Sequence, residues 1–449
     1  MKGAEIFKGY GVGNAGGYGD SSGAVNLKAL TAAQLNATLY NDWGYVQTPA
    51  CAAADGGASP GATGAGWGAS WISDSKTGIA YVNTGNKGPY NSGCTPGPDL
   101  WAGAVMAIDE TSGQWVWGFQ VVPHDVWDWD CSWQQALGNE TISGVNTEVI
   151  WKTCKSGYLV ELNAATGALI WSWTPPTTIV PRCQFCYMLD PLNATQMNYP
   201  FFNPSLKDTL MYPSLAAVFE NEFAYNPATN MIYTASQNLP LLVHYVPLNS
   251  TNYGAGSNGM SFGALPSGLN VNNNSTVEAV NAATGQMVWS HFVALQGYRG
   301  GVTTSGNVVF LTLSSGDILM LNAQTGTQLK DLYIGGPLNI LPSIAATSSG
   351  QMEVIFPITA GIVTWGTGVP GDIVALSLQN VPAGSVSTVT STSVSTVSAT
   401  QVTTTSISTV TAAGSGGVDT TTVYGIAAVA VIFIIATGYL AMRGRKPAS

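Results

Sequence analysis

Short apolar runs alternate with turn-forming residues along positions 1–380, and one turn phrase recurs. The phrase has an Asx residue, two variable positions, Thr or Ser, and then Gly, and an apolar run comes before each copy. Such a phrase is typical of a hairpin turn, because the Asx side chain bonds the backbone just after it and Gly tolerates a positive φ. The copies are Asp109–Gly113, Asn163–Gly167, Asn281–Gly285 and Asn322–Gly326.

An indole follows each of the first three copies, four positions after the glycine, at Trp117, Trp171 and Trp289; the fourth copy has Lys330 there. The Asx positions lie 54, 118 and 41 residues apart. Strand pairs that repeat at this period predict an all-β protein, a β-propeller. The long interval is about two blade lengths, so we expect one further blade near 223–246 that lacks the phrase.

The C-terminal part has a different pattern. Residues 423–442 form an uncharged run of 20, enough to span the roughly 30 Å of a bilayer core, and a basic tail (443–449) follows. The positive-inside rule places the tail in the cytoplasm and the preceding chain outside. A buried core helix is the alternative, although such helices seldom lack a polar face. Residues 381–422 are rich in Ser, Thr and Val and predict a flexible stalk.

The amino-acid composition limits the kinds of partner that the chain can bind. Only 8% of residues are charged, and 14 Lys and Arg against 24 Asp and Glu give a net charge of -10, which argues against nucleic acid. Six Asn-X-Ser/Thr sites suggest a glycoprotein, and six cysteines are compatible with disulfides outside the cell. Cys183 and Cys186 form a CxxC pair, but Tyr187 follows them, so the haem-attachment motif is absent from the sequence. A local disulfide and two free thiols both remain open there.

The chemistry-bearing stretch is residues 123–130, in which acids and indoles alternate. In an extended segment this alternation puts Asp128 and Asp130 on one side and Trp127 and Trp129 on the other. The segment could hold a hard cation or a general base against an aromatic wall. An acidic surface turn fits these residues equally well.

Together, the phrase with its indole and the acidic stretch resemble the quinoprotein alcohol and glucose dehydrogenases. The phrase resembles the tryptophan-docking motif of that family, and residues 123–130 resemble its catalytic segment. The resemblance implies an eight-bladed propeller that uses pyrroloquinoline quinone (PQQ). It extends from Gly3 to about Leu378, which implies that about five of eight blades, the last ones, are present in domain 1–380.

The resemblance also implies a metal site. Glu5 matches the family's metal-binding Glu, Asn86 matches an Asn ligand, and Asp128 matches the Asp that contacts the metal and acts as the base. Oxygen ligands of this kind suit a hard cation. Asp130 adds a third carboxylate, which resembles the mark of lanthanide-using members, but glucose-oxidising relatives also carry Asp-X-Asp. Ca²⁺ and a lanthanide both remain open.

The same resemblance implies four quinone contacts. Lys155 matches the cationic residue that hydrogen-bonds the quinone oxygens, and Trp67 matches the indole beneath the quinone, with a core Trp as its alternative. Asn221 and Asn238, in the blade expected to lack the phrase, would reach the cofactor from the side.

The implied activity is oxidation of an alcohol or a sugar by hydride transfer to PQQ, followed by electron transfer to a membrane or surface acceptor. Two alternatives remain. One is a non-catalytic propeller that acts as a surface binding module. The other is the C-terminal half of a split or truncated dehydrogenase, whose N-terminal propeller half would be a partner; the sequence begins without a signal peptide, which favours this second alternative.

Overall fold

A computed structural model of the chain describes these residues: 26–34, 62–65, 71–88, 100–122, 129, 131–176, 178–179, 208–211, 222–238, 241–245, 260–263, 274–293, 300–348, 350–358, 371–378, 387–394 and 405–412. Helical residues among them are confined to 27–29, a 3-10 turn, and 32–34. Nearly all other regular structure is strand, so the predicted all-β class is confirmed. The chain divides into two compact units, Met1–Pro342 with Pro357–Gly371, and Ser343–Phe356 with Asp372–Ser449.

The strands, in chain order, are β1 (Ala62–Ala65), β2 (Ile72–Asp74), β3 (Ile79–Gly88), β4 (Ala104–Asp109), β5 (Trp115–Gln120), β6 (Gln135–Ile142), β7 (Val145–Thr153), β8 (Leu159–Asn163), β9 (Leu169–Trp173), β10 (Asp208–Met211), β11 (Ala224–Asn226), β12 (Met231–Asn238), β13 (Leu241–Tyr245), β14 (Met260–Gly263), β15 (Asn274–Asn281), β16 (Met287–Val293), β17 (Val302–Ser305), β18 (Val308–Thr312), β19 (Asp317–Asn322), β20 (Gln328–Tyr333), β21 (Ser343–Ala346), β22 (Met352–Ile358), β23 (Asp372–Leu378), β24 (Ser387–Val394) and β25 (Thr405–Ala412).

In the first unit these strands form antiparallel sheets, four of which we name blades. Blade 1 is β2-β3-β4-β5, with β1 paired to the far end of β3; blade 2 is β6-β7-β8-β9; blade 3 is β11-β12-β15-β16; and blade 4 is β17-β18-β19-β20. A separate three-stranded sheet has the order β10-β13-β14. Each blade is a meander in which the turn phrase joins the third strand to the fourth.

The turn phrase folds as its residues dictate. In blade 2, Oδ1 of Asn163 accepts hydrogen bonds from the backbone N–H groups of Ala165 (3.0 Å) and Thr166 (3.1 Å), and Gly167 has φ +76°. The Asx residues of the other three copies accept the same pair of backbone N–H groups. The predicted hairpin turn is therefore confirmed in every copy.

Adjacent blades pack face to face in chain order. One apolar cluster joins blades 1 and 2 through side chains such as Phe119 and Ile150, and a second joins blades 2 and 3 through Trp151 and Ile232. A third joins blades 3 and 4 through Val277 and Leu321. Since sheets twist, face-to-face packing of successive four-stranded meanders is the arrangement found in propellers.

The indoles of the phrase join each blade to the next. In each joint, the indole Nε1 donates a 3.0 Å hydrogen bond to the backbone carbonyl of an Ala in the next turn phrase: Trp117 to Ala164, Trp171 to Ala282 and Trp289 to Ala323. The glycine that ends that phrase lies on the indole, and a Cβ added to Gly167 would be 2.4 Å from Cε3 of Trp117. Only glycine allows this approach.

The prediction of a further blade near 223–246 is wrong. The strands there, β11 and β12, belong to blade 3 together with the phrase at 281–285, and Trp171 of blade 2 contacts Ala282 of blade 3 directly. The long interval arises from an excursion between β12 and β15, whose strands β13 and β14 pair with β10 in the separate sheet. Spacing alone cannot distinguish such an insertion from a blade.

The second unit contains the sheet β21-β22-β23-β24-β25, except for the last two residues of β22. Strands β24 and β25 lie within 381–422, where the sequence predicts a coil; the alternating Ser, Thr and Val residues there suit a strand. In the part of the chain that the structure describes, no helix is long and apolar enough to cross a membrane. The predicted span 423–442 lies outside that part.

Candidate active site

One end of the blades holds the three predicted site residues that the structure describes. We call it the site end: it lies opposite the turn phrases and is reached by 83–88 of β3, Thr153 of β7 and Asn238 of β12. Because neighbouring blades are joined phrase to phrase, their site ends lie on the same side. Asn86 is in β3 near this end, Lys155 follows β7 by two residues, and Asn238 is the last residue of β12.

The connection from blade 1 to blade 2 begins after Gln120 and leads to Gln135, both at the site end. It contains the acidic stretch, of which Trp129 is described and is buried. Cys131 and Ser132, which follow the stretch, are buried completely. The flanks of Asp130 are therefore parts of the core.

Hydrogen bonds fix this connection to both blades. Nδ2 of Asn83 in β3 donates to the carbonyl of Trp133 (2.8 Å). Nζ of Lys152 in β7 donates to the same carbonyl (2.5 Å) and to the carbonyl of Gln134 (3.3 Å). Both donors are fully buried. Because one carbonyl accepts from both blades, the residues after the acidic stretch are held between the strand of Asn86 and the turn of Lys155.

A disulfide also links this segment covalently to the end of β7. Cys131 and Cys154 are bonded, with a Cα–Cα distance of 4.4 Å, and both are fully buried. Cys131 directly follows Asp130, and Cys154 directly precedes Lys155. The crosslink therefore brings two predicted site segments together, although they are separated by 23 residues.

The turn that contains Lys155 is a compact buried loop. Cys154 N–H donates to the carbonyl of Tyr158 (3.0 Å), Gly157 N–H donates to the carbonyl of Cys154 (2.9 Å), and Gly157 has φ +92°. Lys155 is only 3% exposed. Burying an ammonium group is costly unless polar or anionic atoms meet it, so the surroundings of Lys155 must be polar.

Several buried polar atoms lie in these segments and at the end of β12. They have no hydrogen-bond partner within the described ranges: Oγ of Ser132, Nε1 of Trp133, Oγ1 of Thr153, Oγ of Ser156 and Oδ1 of Asn238. Buried polar atoms are almost always satisfied in native proteins. All but the Asn238 oxygen can donate a hydrogen bond, which suits a bound group that presents oxygen atoms. A quinone with carbonyl and carboxylate oxygens has this chemistry.

Two buried carboxyl groups lie within the blades. Burial raises the pKa of Glu278 well above its usual range, although Oγ and the backbone N–H of Ser236 donate to it. Burial also raises the pKa of Glu161 to about 7; a hydrogen bond from Nε1 of Trp151 (2.5 Å) lowers it, and nearby Glu140 raises it. Both glutamates belong to blade strands, β15 and β8.

The other predicted site residues lie outside the described ranges: Glu5, Trp67, Asp128, Asp130 and Asn221. Of Asn86 only the strand position is described. Within these ranges, no group of three or more His, Cys, Asp and Glu side chains could hold a metal ion. The roles predicted for these residues stay predictions.

Sequence reasoning missed the disulfide and Lys152. The position of each cysteine beside a predicted site residue was the available signal for the disulfide. The role of Lys152 could not be recognised in the sequence, because its partners are backbone carbonyls, which every residue has.

Two family models match this sequence. The model of the glucose/ethanol/alcohol dehydrogenase β-propeller domain matches residues 42–181, and the model of outer membrane protein assembly factor BamB matches residues 273–346. The first range contains the acidic stretch, the disulfide and Lys155. The second contains the last two copies of the turn phrase.

Relatives of the chain are dehydrogenases. The XoxF dehydrogenase of Paracoccus denitrificans is 25% identical over 311 residues, which cover 67% of this chain and 50% of the relative. Quinoprotein alcohol dehydrogenase PedH of Pseudomonas putida is 25% identical over 320 residues, which cover 67% of this chain and 52% of the relative. The chain thus spans about half the length of these relatives.

A solved structure of a europium-containing methanol dehydrogenase superimposes with a TM-score of 0.54 at 20% identity, over 65% of this chain and 50% of that one. The quinohemoprotein alcohol dehydrogenase of Comamonas testosteroni gives 0.52 at 21% identity, over 65% and 44%. The expected quinoprotein propeller fold is thereby confirmed. In its blades and in its sequence, this chain is similar to the β-propeller family of the PQQ-dependent alcohol dehydrogenases.

Proposed function

We propose that this chain provides the active site of a PQQ-dependent dehydrogenase that oxidises an alcohol or a sugar. The observation that carries the proposal is the buried turn of Lys155, which is flanked in the chain by the unsatisfied hydroxyl groups of Thr153 and Ser156 and is crosslinked to the residue after the acidic stretch. The relatives support the cofactors, since one, from Methylorubrum extorquens, is a lanthanide-dependent methanol dehydrogenase. PQQ with Ca²⁺ or a lanthanide is the proposed cofactor set.

Each proposed site residue has a separate role in the reaction. Asp128 accepts the proton of the substrate hydroxyl group, and Glu5, Asn86, Asp128 and Asp130 hold the metal ion. Lys155 donates hydrogen bonds to the quinone oxygens. PQQ, when bound, supplies the carbon that accepts the hydride.

Trp67, Asn221 and Asn238 complete the proposed quinone pocket. The indole would form its floor, and the two amides would reach it from the side. Of these, Asn238 is the described residue, and its buried, unpartnered Oδ1 supports a role at the site end.

A single isosteric change tests the base. The purified chain is titrated with PQQ and either Ca²⁺ or La³⁺, and dye-linked oxidation of alcohols and sugars is measured. Asp128→Asn should lower the rate by about 10²–10⁴-fold. Asp125→Asn, in the same acidic stretch but without a proposed role, is the matched control and should leave the rate unchanged. Full activity in Asp128→Asn would refute the assignment.

The choice of metal has its own test. A third carboxylate favours a trivalent ion on Coulombic grounds. Asp130→Asn should therefore weaken La³⁺ binding more than Ca²⁺ binding in the same titration. Equal losses for both ions would show that Asp130 does not select between them.

We also propose that the protein is anchored in the cell membrane by a single helix, 423–442, with the propeller outside and the tail 443–449 in the cytoplasm. The uncharged run of 20 residues and the basic residues after it support this arrangement. In that setting 381–422, which contributes β24 and β25, leads to the membrane helix, the sequons are glycosylated, and electrons pass to a membrane or surface acceptor. Protease added to intact cells should release the propeller; a propeller that stays protected would refute the orientation.

A second candidate is that activity requires a partner that supplies the missing N-terminal propeller half. The chain spans about half of its relatives, and a Cβ at Gly113 of blade 1 would meet nothing within 4 Å among the described residues, whereas the other three phrases each receive an indole. An upstream reading frame for further blades, whose co-expression is needed for activity, would establish this candidate. Failure to bind PQQ with either metal, with or without that partner, would instead leave a non-catalytic surface module.

A further inference from the structure

We infer that the Cys131–Cys154 disulfide and Lys152 form a clamp that ties the residues directly after the acidic stretch to the strand and turn that precede Lys155, and that metal binding depends on this clamp. The inference rests on the proposed function. The clamp comprises the two cysteines, the Lys152 ammonium group and the carbonyls of Trp133 and Gln134. Its residues are positioning residues, because they act through their neighbours.

The clamp joins two nearby residues of the connection to two residues at the end of β7. Cys131 is bonded to Cys154, just past the strand, and the carbonyl of Trp133 is bonded to Lys152, one residue before its end. From there the connection continues as β6, in which Gln135 pairs with Lys152. Two independent links at this spacing prevent the connection from sliding or rotating along β7.

Both chain neighbours of Asp130 are buried. Trp129 before it is 2% exposed and Cys131 after it is 0% exposed, and both belong to the apolar cluster between blades 1 and 2. The clamp therefore holds the residue that directly follows Asp130 in the chain. Asp128 is two residues further along the same stretch.

The clamp also brings positive charge to the site. Lys152 and Lys155 are both buried, three positions apart in one strand and its turn. The carbonyls of Trp133 and Gln134 orient the Lys152 ammonium group. In a low-dielectric environment such charges act strongly on nearby carboxylates. The clamp therefore includes a buried ammonium group beside the chain that follows the acidic stretch.

The test measures metal binding directly and does not depend on turnover. The full chain is titrated with Tb³⁺, with and without PQQ, and the luminescence sensitised by nearby indoles gives the dissociation constant. Cys131→Ser/Cys154→Ser should raise that constant about 10–100-fold, as loss of residues that support metal ligands usually does. Cys183→Ser/Cys186→Ser is the matched control and should leave it unchanged. Circular dichroism verifies that each variant is folded.

Lysine variants keep the inference falsifiable if the serine pair does not fold. Both variants retain the crosslink. Lys152→Met removes the donor and should also weaken Tb³⁺ binding. Lys152→Arg keeps a donor for the same carbonyls and should retain most of the Tb³⁺ affinity. Wild-type Tb³⁺ affinity in a folded Cys131→Ser/Cys154→Ser variant, or in Lys152→Met, overturns the clamp. Absence of Tb³⁺ binding in the wild-type chain would instead refute the proposed function.

Discussion

The joint between blades 1 and 2 can be tested with one added methyl group. Gly167→Ala places a Cβ 2.4 Å from Cε3 of Trp117 and puts a side chain on a residue with φ +76°. The left-handed backbone costs about 1–2 kcal/mol. Displacing the indole costs about 1–3 kcal/mol as overpacking, and loss of its hydrogen bond to Ala164 about 1 kcal/mol more. We expect a total loss of about 3–6 kcal/mol in the free energy of unfolding.

Blade 1 supplies a matched control. Gly113 occupies the same position of the turn phrase with φ +68°, and a Cβ there would meet nothing within 4 Å among the described residues. Gly113→Ala therefore carries only the backbone cost of about 1–2 kcal/mol. The difference between the two variants, about 2–4 kcal/mol, isolates the contact with the indole.

Urea unfolding followed by tryptophan fluorescence measures both losses. A third variant closes the cycle: in a Trp117→Leu background the obstacle is gone, and Gly167→Ala should then cost no more than Gly113→Ala. Equal losses for Gly167→Ala and Gly113→Ala in the wild-type background would refute the joint as the reason for the glycine.

Three further predictions concern stability. Burial raises the pKa of Glu161 to about 7 in the folded protein, whereas the unfolded pKa is about 4.3. The stabilisation from the protonated carboxyl group is therefore present below about pH 4.3 and is lost as the pH rises through the folded pKa. The urea midpoint should fall between about pH 5 and 8, and Glu161→Gln should make it less dependent on pH. Cys131→Ser/Cys154→Ser should lower the free energy of unfolding by about 3 kcal/mol for a closed loop of 23 residues, measured by urea unfolding, and an unchanged midpoint would contradict this. Trp171→Phe leaves the Ala282 carbonyl without its donor and should cost about 1–3 kcal/mol in thermal unfolding.

The repeated part of the fold could be predicted because its signals are local. The Asx residue, the glycine and the indole lie within nine positions of one another, and all four turns form as their residues dictate. The extra blade was predicted wrongly because the interval of 118 residues was interpreted as two blade lengths, whereas part of it is the excursion that carries β13 and β14. The partners of β13, which are β10 and β14, are set by pairing between distant segments, which the spacing of the phrase does not encode.

The site could be predicted only in part. The positions of Asn86, Lys155 and Asn238 at strand ends follow from the repeat, since second strands of successive blades run in the same direction. The clamp could not be predicted, because the pairing among six cysteines depends on the packing of two blades. The burial of Lys152 likewise depends on carbonyls that no residue type marks.

The joints also impose an order on synthesis. Each indole bonds to a turn that lies later in the chain, so Trp117 finds its partner only after Gly167 has been made, and Trp171 must wait for Gly285. Translation proceeds at about 5–20 residues per second. A nascent blade therefore emerges with one large apolar ring uncovered, and the excursion that carries β13 and β14 prolongs that exposure for blade 2. Chaperone contact during translation should concentrate at this point.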